Sequence, residues 1–370
     1  MNKYKKYKRR AFLQRQSFRF NANLHRVRCR RNVIEAILRE KRHQGFLKRK
    51  QEKEQKKAAK HPISLTVPQD FRLLVNPQEC TQFFRSLQKM ENAYRLSGDF
   101  LQLNLEMSDI EDIDFAAVMM LESICEDLSH VNCNVHGNSP KNKEALSFLH
   151  DAGFYNMKFD KYGRKILDPG NRHIIEIQMG QQKILISNIM SFIELMDKTK
   201  KHIGANECLY VNNYIAILKE ICGNSTEWGH NVRRNWTVAA KFEEHQVQFV
   251  ALDLGQGIIK SLSKRFKTKM QDFFSNKSSA EVLRAVFEEY YGSKSKDPNR
   301  NQGLPLIKRC SESHIIKDLV VLSNNALVDF NEKSYDLTFD KNNKGLKGTL
   351  YSWSVDMNCL NSKLHYCPIK

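Results

Sequence analysis

The sequence predicts a mixed α/β protein, and three observations support this fold class. The chain has 370 residues and is 41% hydrophobic, which suffices to bury a core in each of about two domains. From residue 62 to residue 156, runs with strand periodicity alternate with runs of helical periodicity. Further on, an apolar strand-like run ends in an aspartate and turns at once through two glycines, before the chain becomes apolar again.

Nearly all of the net charge lies in residues 1–60, which hold 22 Lys and Arg against 4 Glu. The remaining residues hold 38 against 37. We interpret residues 1–61 as a basic arm followed by a charged helix. Cations interleaved with aromatic residues suit contact of residues 1–60 with the phosphates and bases of a nucleic acid. A protein partner, an anionic membrane surface and an organellar transit peptide remain open alternatives.

The sequence also restricts the cellular class of the protein. No apolar run reaches the roughly 18 residues that a membrane span requires, and no apolar signal segment opens the chain. The nine cysteines form no Cys-x-x-Cys pair, so we expect buried or idle thiols and not a disulfide framework. We therefore expect a cytoplasmic protein without a membrane span, and a homodimer is left open.

Residues 62–156 predict a small α/β domain, element by element. A strand near residues 63–75 precedes the helical pattern QECTQFFRSLQKMENAYRL, the alternating strand DFLQLNLEM and the apolar-faced helix DFAAVMMLESICEDL. A short strand NCNVHG and a helix NKEALSFLHDAGF follow, and the last of these ends at Gly153. This order, and the stretches MSDIEDIDFAAVMMLESI and NSPKNKEALSFLHDAGFY, resemble a STAS domain, the fold of anti-sigma factor antagonists.

One departure from that family bears on function. Phosphorylatable STAS domains carry a serine after the aspartate that begins the central helix, whereas here Asp114 is followed by Phe115, Ala116 and Ala117. Ser108 lies in the preceding loop, where a serine is usually a turn or cap residue. We therefore interpret the STAS-like domain as a module that docks a protein partner.

The stretch VQFVALDLGQGIIK, residues 247–260, is the first element of a candidate ligand site. Asp253 ends a strand, and Gly255 and Gly257 allow close approach of the backbone to a ligand. A third glycine at the dinucleotide-binding spacing and the Gly-Lys-Ser/Thr of a P-loop are both absent from this stretch. Taken alone, the pattern is also that of a tight strand-to-helix turn.

Three further stretches accompany it. In LKEICGNSTEW, Glu220 and Asn224 are four residues apart on a predicted helix and therefore share one face. Downstream, Gly303 opens the apolar helix of NRNQGLPLIKR, and Gly348 with Thr349 opens the strand of NKGLKGTLYSW. In this order, over roughly residues 180–356, these four stretches resemble the ATP-binding domain of the GHKL superfamily, which includes gyrase, histidine kinases and anti-sigma factor serine kinases.

The resemblance implies a two-layer α/β sandwich of the Bergerat type for residues 157–370, with ATP and Mg²⁺ as cofactors. At the nucleoside end, it implies that Asp253 accepts a hydrogen bond from the adenine amino group. Gly255 and Gly257 would let the backbone pack against the nucleoside, and Thr349 would complete the adenine contact.

At the phosphate end, the resemblance gives Asn224 the role of Mg²⁺ ligand, an oxygen donor that suits a hard cation. Glu220 would act as the general base. Gly303 and Leu304 would present backbone N–H groups to the phosphates at a helix N-terminus.

The ATP lid is expected between residues 258 and 303, with a helix in SAEVLRAVFEEYY and a basic stretch before Gly303. In that stretch, Lys294, Lys296 and above all Arg300 are candidates to neutralise phosphates on closure, although each also suits a solvated loop cation.

The end of the sequence separates the branches of the superfamily. About twenty residues follow Thr349. We expect these to be too few for the second domain that supplies a phosphate-sensing lysine in gyrase. We also expect no helical hairpin with a phospho-accepting histidine before the ATP domain. Two main function classes stay open: an ATP-binding switch with slow hydrolysis, and a serine/threonine kinase acting on a partner in trans. A nucleotide-free interaction module is the third reading.

Overall fold

The computed structural model describes residues 62–97, 100–155, 175–181, 184–208, 210–228, 235–265, 277–288, 303–339 and 345–361. The chain divides into two units, Met1–Pro62 and Ile63–Lys370. The predicted basic arm, and with it the expected contact with nucleic acid, lies outside the described residues. Within the described residues the protein is mixed α/β, with parallel and antiparallel sheets, which confirms the predicted fold class at that level.

Residues 63–155, which we call the α/β section, contain the strands and helices that the sequence predicts, together with two strands of two residues each that it does not predict. They are β1 (Ile63–Thr66), β2 (Asp70–Phe71), α1 (Pro77–Ser97), β3 (Leu101–Glu106), β4 (Asp112–Ile113), α2 (Phe115–Ser129), β5 (Cys133–Gly137) and α3 (Lys143–Asp151). Strands β1, β3 and β5 form a parallel three-stranded sheet with β3 in the middle. Strand β3 alternates buried and half-buried residues, because one side chain in two faces the core.

Residues 175–361, which we call the large-sheet section, are built on a seven-stranded sheet. Their elements are β6 (Ile175–Gln181), α4 (Ile186–Ile203), α5 (Val211–Trp228), β7 (Asn235–Phe242), β8 (Gln246–Asp253), α6 (Ile258–Arg265), α7 (Ser279–Phe287), α8 (Gly303–Glu312), β9 (Lys317–Ser323), β10 (Ala326–Asp329), β11 (Leu337–Thr338), β12 (Thr349–Asp356) and α9 (Met357–Asn361). The strand order is β11-β10-β9-β12-β8-β7-β6, and every neighbouring pair is antiparallel.

The two faces of this sheet belong to different hydrophobic clusters. On one face, residues such as Trp236, Phe249 and Tyr351 pack with helices α4, α5, α7 and α8. On the other face, residues such as Val250 and Leu252 share a cluster with the α/β section. The stretches assigned to separate domains from the sequence therefore share one hydrophobic core.

Helix α2 is the element that joins the two sections. The sequence analysis treats it as a helix with one apolar face, but the structure buries it on nearly all sides, from Phe115 through Leu121 and on to Leu128. It packs against β5 of the small sheet and against β7 and β8 of the large one. Its buried Ser123 hydroxyl pairs with the Thr237 hydroxyl of β7 at 3.0 Å, which satisfies both groups inside the interface. A helix that is apolar all round is expected where both sides are covered.

The start of α2 is fixed by Asp114. Its carboxylate accepts hydrogen bonds from the Ala117 N–H at 2.7 Å and from the Leu74 N–H at 2.9 Å. The first bond caps the helix, and the second ties it to the chain that follows β2. Burial raises the pKa of the Asp114 carboxyl, and these backbone bonds oppose that effect. The aspartate that precedes the helix thus has a structural role of its own.

Two expectations about the class of protein can be checked on the described residues. The cysteines found there are free thiols, namely Cys80, Cys125, Cys133, Cys208, Cys222, Cys310 and Cys359, as predicted. Cys29 and Cys367 lie outside that part of the chain. None of the described helices combines the length and apolarity needed to cross a bilayer.

Replacing Asp114 tests its capping role. Asp114→Ala should lower the free energy of unfolding by about 1 to 3 kcal/mol, because a helix cap and a second buried N–H lose their acceptor. Asp114→Asn should cost less than Asp114→Ala, since its single Oδ1 still caps the helix, although its Nδ2 cannot accept from the Leu74 N–H. Urea unfolding measures both, with the exposed Asp109→Ala as a control. An Asp114→Ala protein as stable as that control would contradict the assignment.

Candidate functional site

The candidate site lies where the central strands of the large sheet end. Asp253 is the last residue of β8, and it pairs in register with Trp236 of β7 on one side and with Thr349 of β12 on the other. Side chains of paired residues point to the same face of a sheet. The three therefore form a row on the face that α5 covers, with Asp253 and Thr349 as neighbours.

The glycine turn, residues 254–257, folds back against Asp253. The Gly255 N–H donates to Asp253 Oδ1 at 2.7 Å. Gly257 has φ +81°, and a Cβ atom there would lie 2.5 Å from the side chain of Asn324. A larger residue would be both strained and obstructed at this position, so the second glycine is a requirement of the turn.

Asn324 is a site residue that the sequence analysis missed. It is 4% exposed with φ 56°, and its Nδ2 donates to the carbonyl oxygens of Gln256 at 2.8 Å and Leu346 at 3.1 Å. Its Oδ1 accepts from the Lys260 N–H at 3.2 Å. One side chain thus joins the glycine turn, the start of α6 and the chain before β12. The available signal was the Asn-Asn pair between two apolar runs in VVLSNNALV, which is typical of a tight hairpin turn.

The chain before β12, residues 345–348, crosses the end of β8 at close range. Gly348 has φ +122°, and a Cβ atom there would lie 2.1 Å from the carbonyl oxygen of Asp253. We call residues 345–348 the Lys347 loop. Since Gly348 directly precedes Thr349, this contact sets where β12 begins relative to Asp253.

The second half of the site lies on α5. Asn224 Nδ2 donates to Glu220 Oε1 at 3.0 Å, which confirms that these residues share one helix face. Because a carboxylate only accepts hydrogen bonds, the amide nitrogen must face Glu220, and Asn224 Oδ1 points away from it. An amide oxygen is the type of metal ligand that hard cations prefer.

Helix α8 begins directly on the Glu220 side chain. A Cβ atom on Gly303, its first residue, would lie 1.5 Å from Glu220 Cδ. Only glycine fits there without moving the carboxylate. The backbone N–H groups of the first turn of α8 are therefore next to Glu220, at the positive end of the helix dipole, which attracts anions.

Electrostatics link the two halves of the site. Burial raises the pKa of the Asp253 carboxyl from 3.8 to about 6, and the hydrogen bond from the Gly255 N–H opposes this. Burial also raises the pKa of the Tyr351 hydroxyl, with smaller contributions from the carboxylates of Asp253 and Glu220. Tyr351, two residues after Thr349, thus lies within electrostatic range of both carboxylates.

Most of the predicted site residues lie in the described part of the chain and fall into two groups. The Asp253 group also contains Gly255, Gly257 and Thr349, and the Glu220 group also contains Asn224, Gly303 and Leu304. Arg300, with Lys294 and Lys296, lies outside the described residues. Among those described, no cluster of three or more His, Cys, Asp or Glu side chains is arranged to hold a metal ion.

Comparison with known proteins assigns no family, because no protein-family model and no curated protein matches this sequence. Function is therefore inferred from the contacts and charges of the described residues.

The raised pKa of Asp253 predicts a pH-dependent stability difference. The folded protein keeps a proton on Asp253 up to about pH 6, whereas the unfolded chain releases it near pH 4, so wild-type stability falls as pH rises between these values. Asp253→Asn keeps an acceptor for the Gly255 N–H and carries no charge. It should be more stable than wild type by about 1 to 3 kcal/mol at pH 8 and nearly equal at pH 4. Urea unfolding at both pH values measures this, and a difference independent of pH would contradict it.

Proposed function

We propose that the chain is an ATP-binding regulatory protein of the GHKL type, which binds Mg²⁺-ATP in the large-sheet section and hydrolyses it slowly. One observation carries the proposal. The half-buried Asp253 carboxylate, beside Thr349 and close to the backbone at Gly257 and Gly348, lies on the same face of the sheet as the Glu220–Asn224 pair under the start of α8. An antiparallel sheet covered by helices on that face is compatible with a Bergerat-type sandwich.

The Asp253 end suits an adenine ring. A partly desolvated acceptor of raised pKa gains from a neutral N–H donor that replaces the water it has lost. The adenine amino group is such a donor, whereas guanine presents a carbonyl oxygen at that position and would set acceptor against acceptor. Gly257 and Gly348 have no side chain, so the backbone can pack closely around the site. Room is thereby left for a flat group beside Asp253.

The Glu220 end suits the phosphates. Asn224 Oδ1 would hold Mg²⁺, whose other ligands would be phosphate oxygens and water, and the ion would neutralise charge on the phosphates. The N–H groups of Gly303 and Leu304, at the start of α8, would bind phosphate oxygens. Glu220 would accept the proton of the attacking water, oriented by the amide of Asn224.

The regulatory part of the proposal rests on the shared core. The α/β section, which resembles a STAS domain, packs through α2 on the sheet that carries the nucleotide site. Nucleotide state would thereby change how this section engages a protein partner. A serine/threonine kinase acting in trans remains the alternative, and it would use the same Glu220. With labelled ATP, release of free phosphate supports the switch, and label on a protein of a cell extract supports the kinase.

Nucleotide binding can be tested by removing one residue from each end of the site. Asp253→Ala and Asn224→Ala should each abolish Mg²⁺-ATP binding in a folded protein, as measured by calorimetry. Asp109→Ala and Asn134→Ala, at exposed positions of the α/β section, are matched controls that should bind like wild type. GTP should bind far more weakly than ATP. Equal affinity for the two nucleotides would show that Asp253 does not read adenine.

The role of Glu220 in turnover can be tested with two single variants and their double variant. Glu220→Ala should retain ATP but lower turnover by about 10²- to 10⁴-fold, because a general base acts mainly in the transition state. Gly303→Ala should also lower turnover, since its Cβ atom displaces the Glu220 carboxylate. If both act on one group, the double variant should be no slower than Glu220→Ala. Additive losses, or unchanged turnover in Glu220→Ala, would place the chemistry elsewhere.

A further inference from the structure

A buried glutamine of the α/β section is hydrogen-bonded to the Lys347 loop. Gln88 of α1 is 5% exposed, and its Nε2 donates to the Lys347 carbonyl oxygen at 2.7 Å. In return, the Lys347 N–H donates to Gln88 Oε1 at 3.0 Å. The side-chain amide therefore pairs with both polar groups of one backbone residue, as a neighbouring strand would.

This pair of bonds acts on the wall of the candidate site. Lys347 directly precedes Gly348, which lies against the Asp253 carbonyl oxygen, and is two residues before Thr349. On its other side, Leu346 is fully buried in the shared core, and its N–H donates to the Asn324 carbonyl oxygen at 3.0 Å. A helix more than 250 positions away in the sequence thus helps to hold the loop over the end of β8.

Glycines make the loop dependent on such an anchor. The loop has a glycine at each end, Gly345 and Gly348, and both have positive φ. Glycine has many alternative backbone conformations, so a loop of this composition has little intrinsic preference for the observed one. The two hydrogen bonds between Gln88 and Lys347 also satisfy backbone groups that would otherwise need water or other partners.

We propose that Gln88 is a positioning residue for the nucleotide site, through which the α/β section sets nucleotide affinity. This inference rests on the proposed function. Gln88 holds the Lys347 loop in the conformation that lays Gly348 against the Asp253 carbonyl oxygen, at the adenine end. When the anchor is lost, only a fraction of molecules has this conformation, and the apparent affinity falls to that fraction of its intrinsic value.

The test compares three variants of the full chain. Gln88→Met keeps the length and volume of the side chain but removes both hydrogen bonds. Gln82→Met is the matched control, because Gln82 is an exposed glutamine of the same helix. Leu149→Ala is the second control, since it removes buried contacts in α3 and destabilises the α/β section at another place. Circular dichroism first establishes a temperature at which all are folded.

Calorimetry with Mg²⁺-ATP and amide hydrogen exchange without nucleotide then give two readouts. For Gln88→Met, affinity should fall about 5- to 50-fold, and the Lys347 amide should exchange faster. Turnover at saturating ATP should stay within about twofold of wild type, because Glu220 lies on α5 and keeps its place. Both controls should bind ATP like wild type.

Two outcomes would overturn the role of Gln88 while leaving the proposed function intact. The first is Gln88→Met with wild-type affinity, and the second is Leu149→Ala with an equally weakened affinity, which would indicate a general effect of instability. If the wild-type chain itself fails to bind Mg²⁺-ATP, the proposed function fails first and the role of Gln88 fails with it.

Discussion

The burial of α2 between two sheets is the packing interaction on which the rest of this structure depends. Its side chains from Phe115 to Leu128 fill the space between β5 of the small sheet and the β7–β8 pair of the large sheet. That interface joins the α/β section to the large-sheet section in one hydrophobic cluster. Because burial of apolar area is the main favourable term in folding, neither section has a complete core without the other. The caps at Asp114 and the Ser123–Thr237 bond fix the helix in this place.

The face of the large sheet opposite α2 carries groups that lower the stability of the fold. The Asp253 carboxylate, which has no cation partner among the described residues, and the glycines of positive φ, whose ordering costs backbone entropy, lower stability. Such features are typical of functional sites, where local stability is lost in favour of a defined arrangement of polar groups. The shared core compensates for this loss. The Lys347 loop belongs to both regions, since Leu346 is part of the shared core and Gly348 is part of the site.

The sequence predicted the parts of the fold and site that are set by local patterns. Helical spacing placed Glu220 and Asn224 on one face. The glycines after Asp253 marked the end of β8, and the glycine before Thr349 marked the start of β12. Contacts between distant segments were not predictable in this way. Asn324 looked like an ordinary turn residue, and Gln88 looked like one polar position of an amphipathic helix. What distinguishes them is the partner that the fold brings to them, from up to 259 residues away.

The most direct test of the account is a crystal structure of the full chain with Mg²⁺ and a non-hydrolysable ATP analogue. The account predicts the adenine amino group within hydrogen-bond distance of the Asp253 carboxylate, the metal ion on Asn224 Oδ1, and phosphate oxygens at the start of α8. It also predicts that Gln88 remains paired with Lys347 in the complex. A nucleotide bound elsewhere, or crystals grown at saturating analogue with water alone beside Asp253, would contradict it.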